Sequence, residues 1–424
     1  MEKLALFGGK KIITRKFKKY RSIGLEEKKA ALKVLNSGVL SDFLGQKSPK
    51  FYGGYYVQKF ERYLEKYFKV KHAITTNSWT SGLIAAVGAI GTEPGDEIIV
   101  PTWTMCASAI AILHWNAIPV FADIEDETFN IDPSSIIKKI NKKTKAIICV
   151  DIFGHPANMK EIMKIAKNKK LKVIADNAQA PGSKYFNKFS GTMADIGGIS
   201  LNCHKHINTG EGGILITNNS IYAKRLRLIR NHAEAVVTTD FIKKNPNMLG
   251  YNFRMGEIES AIGLEQIKKL KKKIKLRQQI AKKLDKNLSK LKGLIIPRVK
   301  KNCTHSYYIY AMKIDENITG VSRDKIFSAL VAEGIPDLIK NYFNLHLLPI
   351  YQNKLAYGTK GFPWKSEFNK NKINYNKGIC PTAENLNKSQ LILLELCVYE
   401  YSKKEIDLII KCFNKVWKKL IKQI

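Results

Sequence analysis

Between His72 and Asp176 the sequence alternates between two hydrophobic periods, and this alternation limits the fold more than any other feature. His72-Ala73-Ile74-Thr75-Thr76, Glu97-Ile98-Ile99-Val100, Pro119-Val120-Phe121-Ala122, Ala146-Ile147-Ile148-Cys149-Val150 and Val173-Ile174-Ala175 are short apolar runs of strand length. Between them, Thr80 to Ile90, Ala107 to Trp115, Ser134 to Asn141 and Asn158 to Lys167 carry helical spacing. Buried strands alternating with amphipathic helices predict βαβ units, hence an α/β fold with a mainly parallel sheet. Such sheets bind ligands outside the carboxyl ends of their strands. Thr80, Asp176 and the loop leading to Lys205 fall there.

The flanks read differently. Residues 1–20 form a basic lead-in, and helical patterns follow at Gly24 to Leu35, stopped by Asn36-Ser37-Gly38, and at Val57 to Phe68. After about residue 220 the pattern turns helical, with one long helix expected from Met255 to about Leu291. A strand at Ser306 to Met312, a Gly/Pro/aromatic loop from Tyr342 to Cys380 and a closing helix from Lys403 complete a smaller α+β unit. The division expected is a large domain over 1–265, lead-in included, and a small C-terminal domain over 266–424.

One stretch carries candidate chemistry. Lys205 precedes Gly210-Glu211-Gly212-Gly213 and the apolar run Ile214-Leu215-Ile216-Thr217, while Asp176-Asn177-Ala178-Gln179 closes an upstream strand. An acid at a strand end and a lysine on a loop beyond it suit a pyridine cofactor held as a Schiff base, the acid keeping the ring nitrogen protonated. The bland alternative is a solvated lysine, one of many in this chain.

Composition narrows the classes. At 424 residues, two or three domains are expected. No apolar run approaches the ~18–20 residues of a membrane span, and the first nine residues lack the pattern of a secretory signal. Seven cysteines, scattered and never in a C-x-x-C pair, argue against a disulfide framework or a metal site and for a reducing cytoplasm. The net charge of +36 is spread over nearly every polar face. Even the densest run, Ile267 to Leu276, keeps apolar residues at helical spacing, so the charge favours an anionic small molecule or an acidic membrane surface over a nucleic acid.

The ordered motifs carry a resemblance. Leu4-Ala5-Leu6-Phe7-Gly8-Gly9-Lys10, Gly53-Gly54 through Phe60-Glu61, Pro94-Gly95-Asp96-Glu97, Pro119-Val120-Phe121-Ala122-Asp123-Ile124, Asp176-Asn177-Ala178-Gln179-Ala180, Thr209-Gly210-Glu211-Gly212-Gly213, Leu249-Gly250-Tyr251-Asn252-Phe253-Arg254-Met255 and Cys380-Pro381-Thr382-Ala383-Glu384 occur in that order. Together they resemble the DegT-type, pyridoxal-phosphate-dependent sugar aminotransferases, within fold-type-I aminotransferases. The resemblance implies a seven-stranded sheet and a homodimer that shares its active sites. It implies that Lys205 forms the Schiff base and shuttles a proton between substrate Cα and cofactor C4′, and that Asp176 pairs with the ring nitrogen. It further implies Gln179 beside the ring oxygen, Thr80 and Ser200 as phosphate ligands, and Asn252 reaching the phosphate from the neighbouring subunit. Arg254 and His305 are candidate substrate contacts, each with a structural alternative, and Thr80 could equally be a plain helix cap. Asn177, Asn208 and His206 read most simply as turn and loop residues.

Two positions depart from the family pattern. Ser78-Trp79-Thr80 stands where relatives commonly have Ser-Gly-Thr, and Met105 where many place an aromatic that stacks on the cofactor ring. Trp79 is expected to shape the pocket, and the Met105 thioether can lie against a ring with ~0.3–1.5 kcal/mol of attraction. If the segment is extended, alternation puts Trp103 on the same face as Met105, making both candidates for the substrate wall.

The reaction implied is a ping-pong transfer of an amino group from glutamate or glutamine to a keto-sugar, nucleotide-linked or a free cyclitol. A deoxygenating branch of the family replaces the lysine by histidine, and His204 and His206 flank Lys205; counting back from Gly210 without gaps assigns the lysine position to Lys205. The rival from another class is a non-catalytic sensor or nucleic-acid-binding protein, against which the retained Lys205, Asp176 and Gln179 argue.

Overall fold

Seven strands form the sheet that dominates the first half of the chain. In a computed structural model describing residues 3–245, 247–369 and 372–421, β1 (His72–Thr76), β2 (Glu97–Pro101), β3 (Ile118–Ala122), β4 (Thr144–Val150) and β5 (Lys172–Asp176) follow the apolar runs within two residues. A two-residue-strand hairpin, β6 (Lys184–Tyr185) and β7 (Lys188–Phe189), precedes β8 (Ile196–Ser200) and β9 (Gly213–Thr217). The order is β1-β9-β8-β5-β4-β2-β3. Only β9 is reversed, pairing antiparallel with both β1 and β8. The carboxyl ends of the other six therefore share one edge.

Helices cover both faces: α1 (Leu25–Ser37), α2 (Tyr55–Phe68), α3 (Trp79–Ala89), α4 (Ala107–His114), α5 (Pro133–Lys139), α6 (Met159–Lys169), α7 (Ser220–Arg230), the short α8 (Thr239–Lys244) and α9 (Glu257–Leu288). One core packs α3, α4 and α7 on Ile98, Val100, Ile148 and Ile174. On the other face α5 and α6 cover Ile99, Ile147 and Val173, while α2 and the start of α9 cover Ala73, Ile199 and Ile214. Burial from both sides is why these strands read as unbroken apolar runs rather than alternating ones.

A second, antiparallel sheet of order β10-β11-β13-β12 combines β10 (Leu294–Ile295), β11 (Ile309–Ile314), β12 (Leu338–Ile339) and β13 (Leu391–Glu395). It packs with α11 (Arg323–Ala332) and α14 (Lys403–Leu420); the short α10 (Glu316–Thr319), α12 (Pro349–Gln352) and α13 (Pro381–Asn385) lie in its connections. Residue 265 falls inside α9. Leu264, Ile267, Leu270 and Ile274 of that helix join the large-sheet core, and Ala281, Leu284 and Leu288 join the second. Leu4, Ile13 and Phe17 of the lead-in also pack into this second core. β11 starts three residues later than expected because Tyr307 adopts φ 53°, which interrupts extension before Ile309. Among the described residues no helix is long and apolar enough to cross a membrane.

Candidate active site

Asp176 ends β5, one strand over from Ser200 at the end of β8, and pairs in register with Gly198. Its carboxylate is buried and receives three donors. Oδ1 accepts the Trp79 indole N–H at 2.7 Å and the Ala178 amide at 3.1 Å; Oδ2 accepts the Ser108 hydroxyl at 2.8 Å. Ser108 is held in turn by Thr104, 2.7 Å away. Burial pushes the Asp176 pKa above the ordinary value, and the Ala178, Ser108 and Trp79 hydrogen bonds and the Lys205 charge oppose this.

Lys205 sits on the loop between β8 and β9, and several anchors fix that loop. The Leu201 amide donates to the Gly212 carbonyl (2.8 Å) and the Thr209 amide to the Leu201 carbonyl (2.9 Å). Gly210, at φ 87°, supplies the left-handed turn between them. Beyond the loop, Tyr20 donates to the His206 carbonyl, the His206 ring meets the Ser306 carbonyl at 2.9 Å, and Gln266 accepts the Asn208 amide. Lead-in, long helix and the segment leading into β11 thus all position the lysine. Its ammonium lies 4.3 Å from the centre of the Tyr308 ring. Burial lowers its pKa, with Asp176 opposing. Of the His204-Lys205-His206 triplet, His204 is exposed and His206 is fully buried.

The remaining expected residues divide. Ser78, two residues before Thr80, caps α3 by accepting the Ser81 amide at 3.0 Å, so Thr80 is not the cap but an exposed residue of the first turn. That turn leaves amide groups without intrahelical partners at the helix's positive end. Gln179 is buried, its Oε1 accepting the Phe153 amide and its Nε2 donating to Tyr342. Asn252 is exposed; its Oδ1 accepts from Arg254 Nε at 2.7 Å and its carbonyl from Asn77, next to the α3 cap. Arg254 is half-buried and pairs with no carboxylate among the described residues.

Three expectations are corrected. The segment after β2 bends rather than extends, so Trp103 and Met105 part company: Trp103 is 0% exposed and Met105 64%. Trp103 donates to Asn344 Oδ1 at 2.7 Å and stacks on Phe129, which removes it from any substrate wall. Trp79 does not line an opening; its indole is buried behind Asp176. His305 is buried too, stacked on Tyr307 with its Nδ1 accepting the Tyr307 amide, and burial drives its pKa well down. Sequence reasoning missed Ser108, Thr104, Tyr308 and Tyr342; the one available signal was the four-residue spacing that sets Thr104 a turn before Ser108.

Next to His305 lies His155, whose state gives a pH test. The Lys300 amide donates to its Nε2 (3.1 Å), so the ring proton sits on Nδ1 and is given to the Pro156 carbonyl (2.8 Å). Burial, with the Lys300 charge, lowers its pKa to about 4. The unfolded chain binds a proton here below about pH 6.5 while the folded chain does not, so this contribution is full above 6.5 and shrinks as pH falls. Asp151, raised to about 7 by burial, works in the opposite direction. Comparing wild type with His155→Gln isolates the histidine: the variant's loss of unfolding free energy from pH 7 to pH 5 is expected to be about 2 kcal/mol smaller. Equal losses contradict this reading.

The model of the DegT/DnrJ/EryC1/StrS aminotransferase family matches residues 38–380. The chain belongs to this family. It is a sugar aminotransferase with the fold-type-I architecture, and the family's enzymes depend on pyridoxal phosphate. It is 35% identical over 301 residues to the GDP-perosamine synthase of Escherichia coli O157:H7, covering 71% of this chain and 80% of the relative. It is 32% identical over 361 residues to the spore coat polysaccharide biosynthesis protein SpsC of Bacillus subtilis, covering 84% and 88%. Among solved structures, Helicobacter pylori PseC, an aminotransferase involved in the biosynthesis of pseudoaminic acid, superposes with a TM-score of 0.75 at 26% identity over 95% of this chain and 99% of that one.

Proposed function

We infer that this aminotransferase binds pyridoxal phosphate at the Asp176–Lys205 edge and moves an amino group from glutamate or glutamine to a nucleotide-linked keto-sugar. The observation that carries the reading is the buried carboxylate of Asp176, held by three donors, within electrostatic reach of the half-buried Lys205. These residues fit the cofactor. A carboxylate offers about four lone-pair positions, and three are used, so one remains for a protonated ring nitrogen. The first turn of α3 with Thr80, and Ser200 at the end of β8, would take the phosphate. Gln179 would lie by the ring oxygen and the exposed Met105 against the ring face.

Pyridoxal phosphate, when bound, supplies an aldehyde that condenses with amines and a ring that accepts an electron pair. Lys205 does the protein's part of the chemistry. Its Nζ, whose pKa burial lowers, takes the proton from the donor's amine-bearing carbon and returns a proton to the acceptor carbon, a role typically worth ~10²–10⁴-fold. The packed loop keeps that amine from swinging into water. The exposed Asn252 and the half-buried Arg254 that donates to it suit a second copy of the chain in a homodimer.

The nucleotide-linked acceptor is favoured over a free cyclitol by two features: the net charge of +36 suits a diphosphate, and the relatives named for nucleotide sugars are the more similar ones. A 2-deoxy-scyllo-inosose aminotransferase of Streptomyces lividus is 28% identical, so the cyclitol stays as the second arm of the test. The protein is charged with amine from glutamate or glutamine and mixed with nucleotide-linked keto-sugars and inososes. Amination of a nucleotide-linked sugar is expected; transfer only to an inosose replaces the acceptor, and transfer to none rejects the reading.

A further inference from the structure

We propose that Trp79 is a positioning residue that, together with Ser108, clamps Asp176 so that a single lone pair on Oδ2 is presented to the ring nitrogen of the cofactor. The proposal rests on the reading of Asp176 given above. Each carboxylate oxygen accepts about two hydrogen bonds. Oδ1 is filled by the Trp79 indole at 2.7 Å and the Ala178 amide at 3.1 Å, while Oδ2 holds only Ser108 at 2.8 Å. The free position is therefore on Oδ2.

The indole occupies a fitted slot. A Cβ on Gly198 of β8 would fall 2.3 Å from Trp79 Cζ3, and a Cβ on Gly82 of α3 would fall 2.8 Å from its Cε3. Trp79 is 5% exposed, so its N–H cannot find water and must find an acceptor in the protein. The acceptor is the acid itself. The tryptophan thus supplies a side-chain donor to the acid from the first turn of α3. Ser108 is fixed independently, through Thr104 and the α4 backbone. Two donors from different helices, α3 and α4, thus leave the carboxylate no rotation.

A donor to a carboxylate favours its charged form, and only the charged form holds a protonated ring nitrogen. Removing Trp79 or Ser108 should therefore weaken cofactor binding most at low pH. The test measures the pyridoxal phosphate dissociation constant of the full-length protein by its visible absorbance between pH 5.5 and 9, with unfolding midpoints as a folding control. For Trp79→Phe the constant is expected to rise about 10-fold or more near neutral pH, and the acid limb to move up by about one pH unit. Ser108→Ala should move the limb the same way, and Ser108→Thr, which keeps the hydroxyl, should stay within about twofold of wild type. An unmoved limb in folded Trp79→Phe and Ser108→Ala overturns the proposal, as does weakening that is uniform with pH, the mark of a packing defect. If Trp79→Phe does not fold, the Ser108 pair decides. A wild-type protein that takes up no pyridoxal phosphate overturns the functional reading, and the clamp with it.

Discussion

Lys205→Ala, supplied with pyridoxal phosphate, is expected to lose the visible absorption of the bound cofactor and to transfer amine at least about 10³-fold more slowly than wild type. The size of the effect follows from how singular this amine is. Among its sequence neighbours, His204 points to solvent and His206 is locked onto the Ser306 carbonyl. Lys205 carries a charge that acts on Asp176. Its amine lies 4.3 Å from the centre of the Tyr308 ring, and burial lowers its pKa from the ordinary lysine value. His204→Ala serves as the control, since it changes an exposed side chain in the same loop, and both readouts should stay within about twofold of wild type. A Lys205→Ala protein that turns over at the wild-type rate would remove Lys205 from the chemistry. A His204→Ala protein with the same defect would mean that the loop, not the amine, had been measured.

That lysine was legible in the sequence because local rules fix its surroundings: an apolar strand, a polar loop and a glycine turn follow one another within a few residues. Strands β1 to β5 of the large sheet were legible for a similar reason, since burial on both faces makes them short, mostly apolar runs, whereas β8, with Gly197 and Gly198 at its centre, was not. Nor was β13. Leu391-Ile392-Leu393-Leu394 is apolar throughout and short, so periodicity cannot distinguish a strand from a buried helical turn. The errors around Trp79 and Trp103 have another cause. Each indole is placed by an acceptor far away in the chain, Asp176 for one and Asn344 for the other. Trp79 was expected to line a pocket because it departs from the family pattern, and Trp103 because an extended segment would set it on the same face as Met105. In each case the buried N–H needed a polar partner and found one inside the protein, so the ring turned inward. Ser108 was invisible for a related reason, since nothing near it in sequence marks its hydroxyl as aimed at β5.

The largest expected effect on stability belongs to Arg230. The Arg230 guanidinium donates to Glu61 Oε1 at 2.6 Å and to the Thr75 carbonyl at 3.1 Å, and lies 4.8 Å from the Phe43 ring centre. The side chains of Arg230 and Glu61 are 0% and 7% exposed. Glu61 Oε1 also accepts the amide and hydroxyl of Thr75, so α2, β1 and α7 meet at one carboxylate oxygen. Arg230→Met removes the positive charge and leaves the negative one buried, which typically costs about 3–5 kcal/mol. Adding Glu61→Leu to Arg230→Met removes the stranded charge and should recover much of the loss, because a buried ion pair is worth little more than well-packed apolar groups of similar volume. Denaturant midpoints of the two proteins make the comparison. Near-equal midpoints for wild type and Arg230→Met would show that water reaches the site. The consequence extends to the active site, since β1 leads directly through Asn77 to the Ser78 cap and the first turn of α3. A β1 loosened at Thr75 loosens the helix end that would hold the cofactor phosphate. The single variant should therefore bind pyridoxal phosphate more weakly even at temperatures where it remains folded, and the double variant should regain binding in step with its stability.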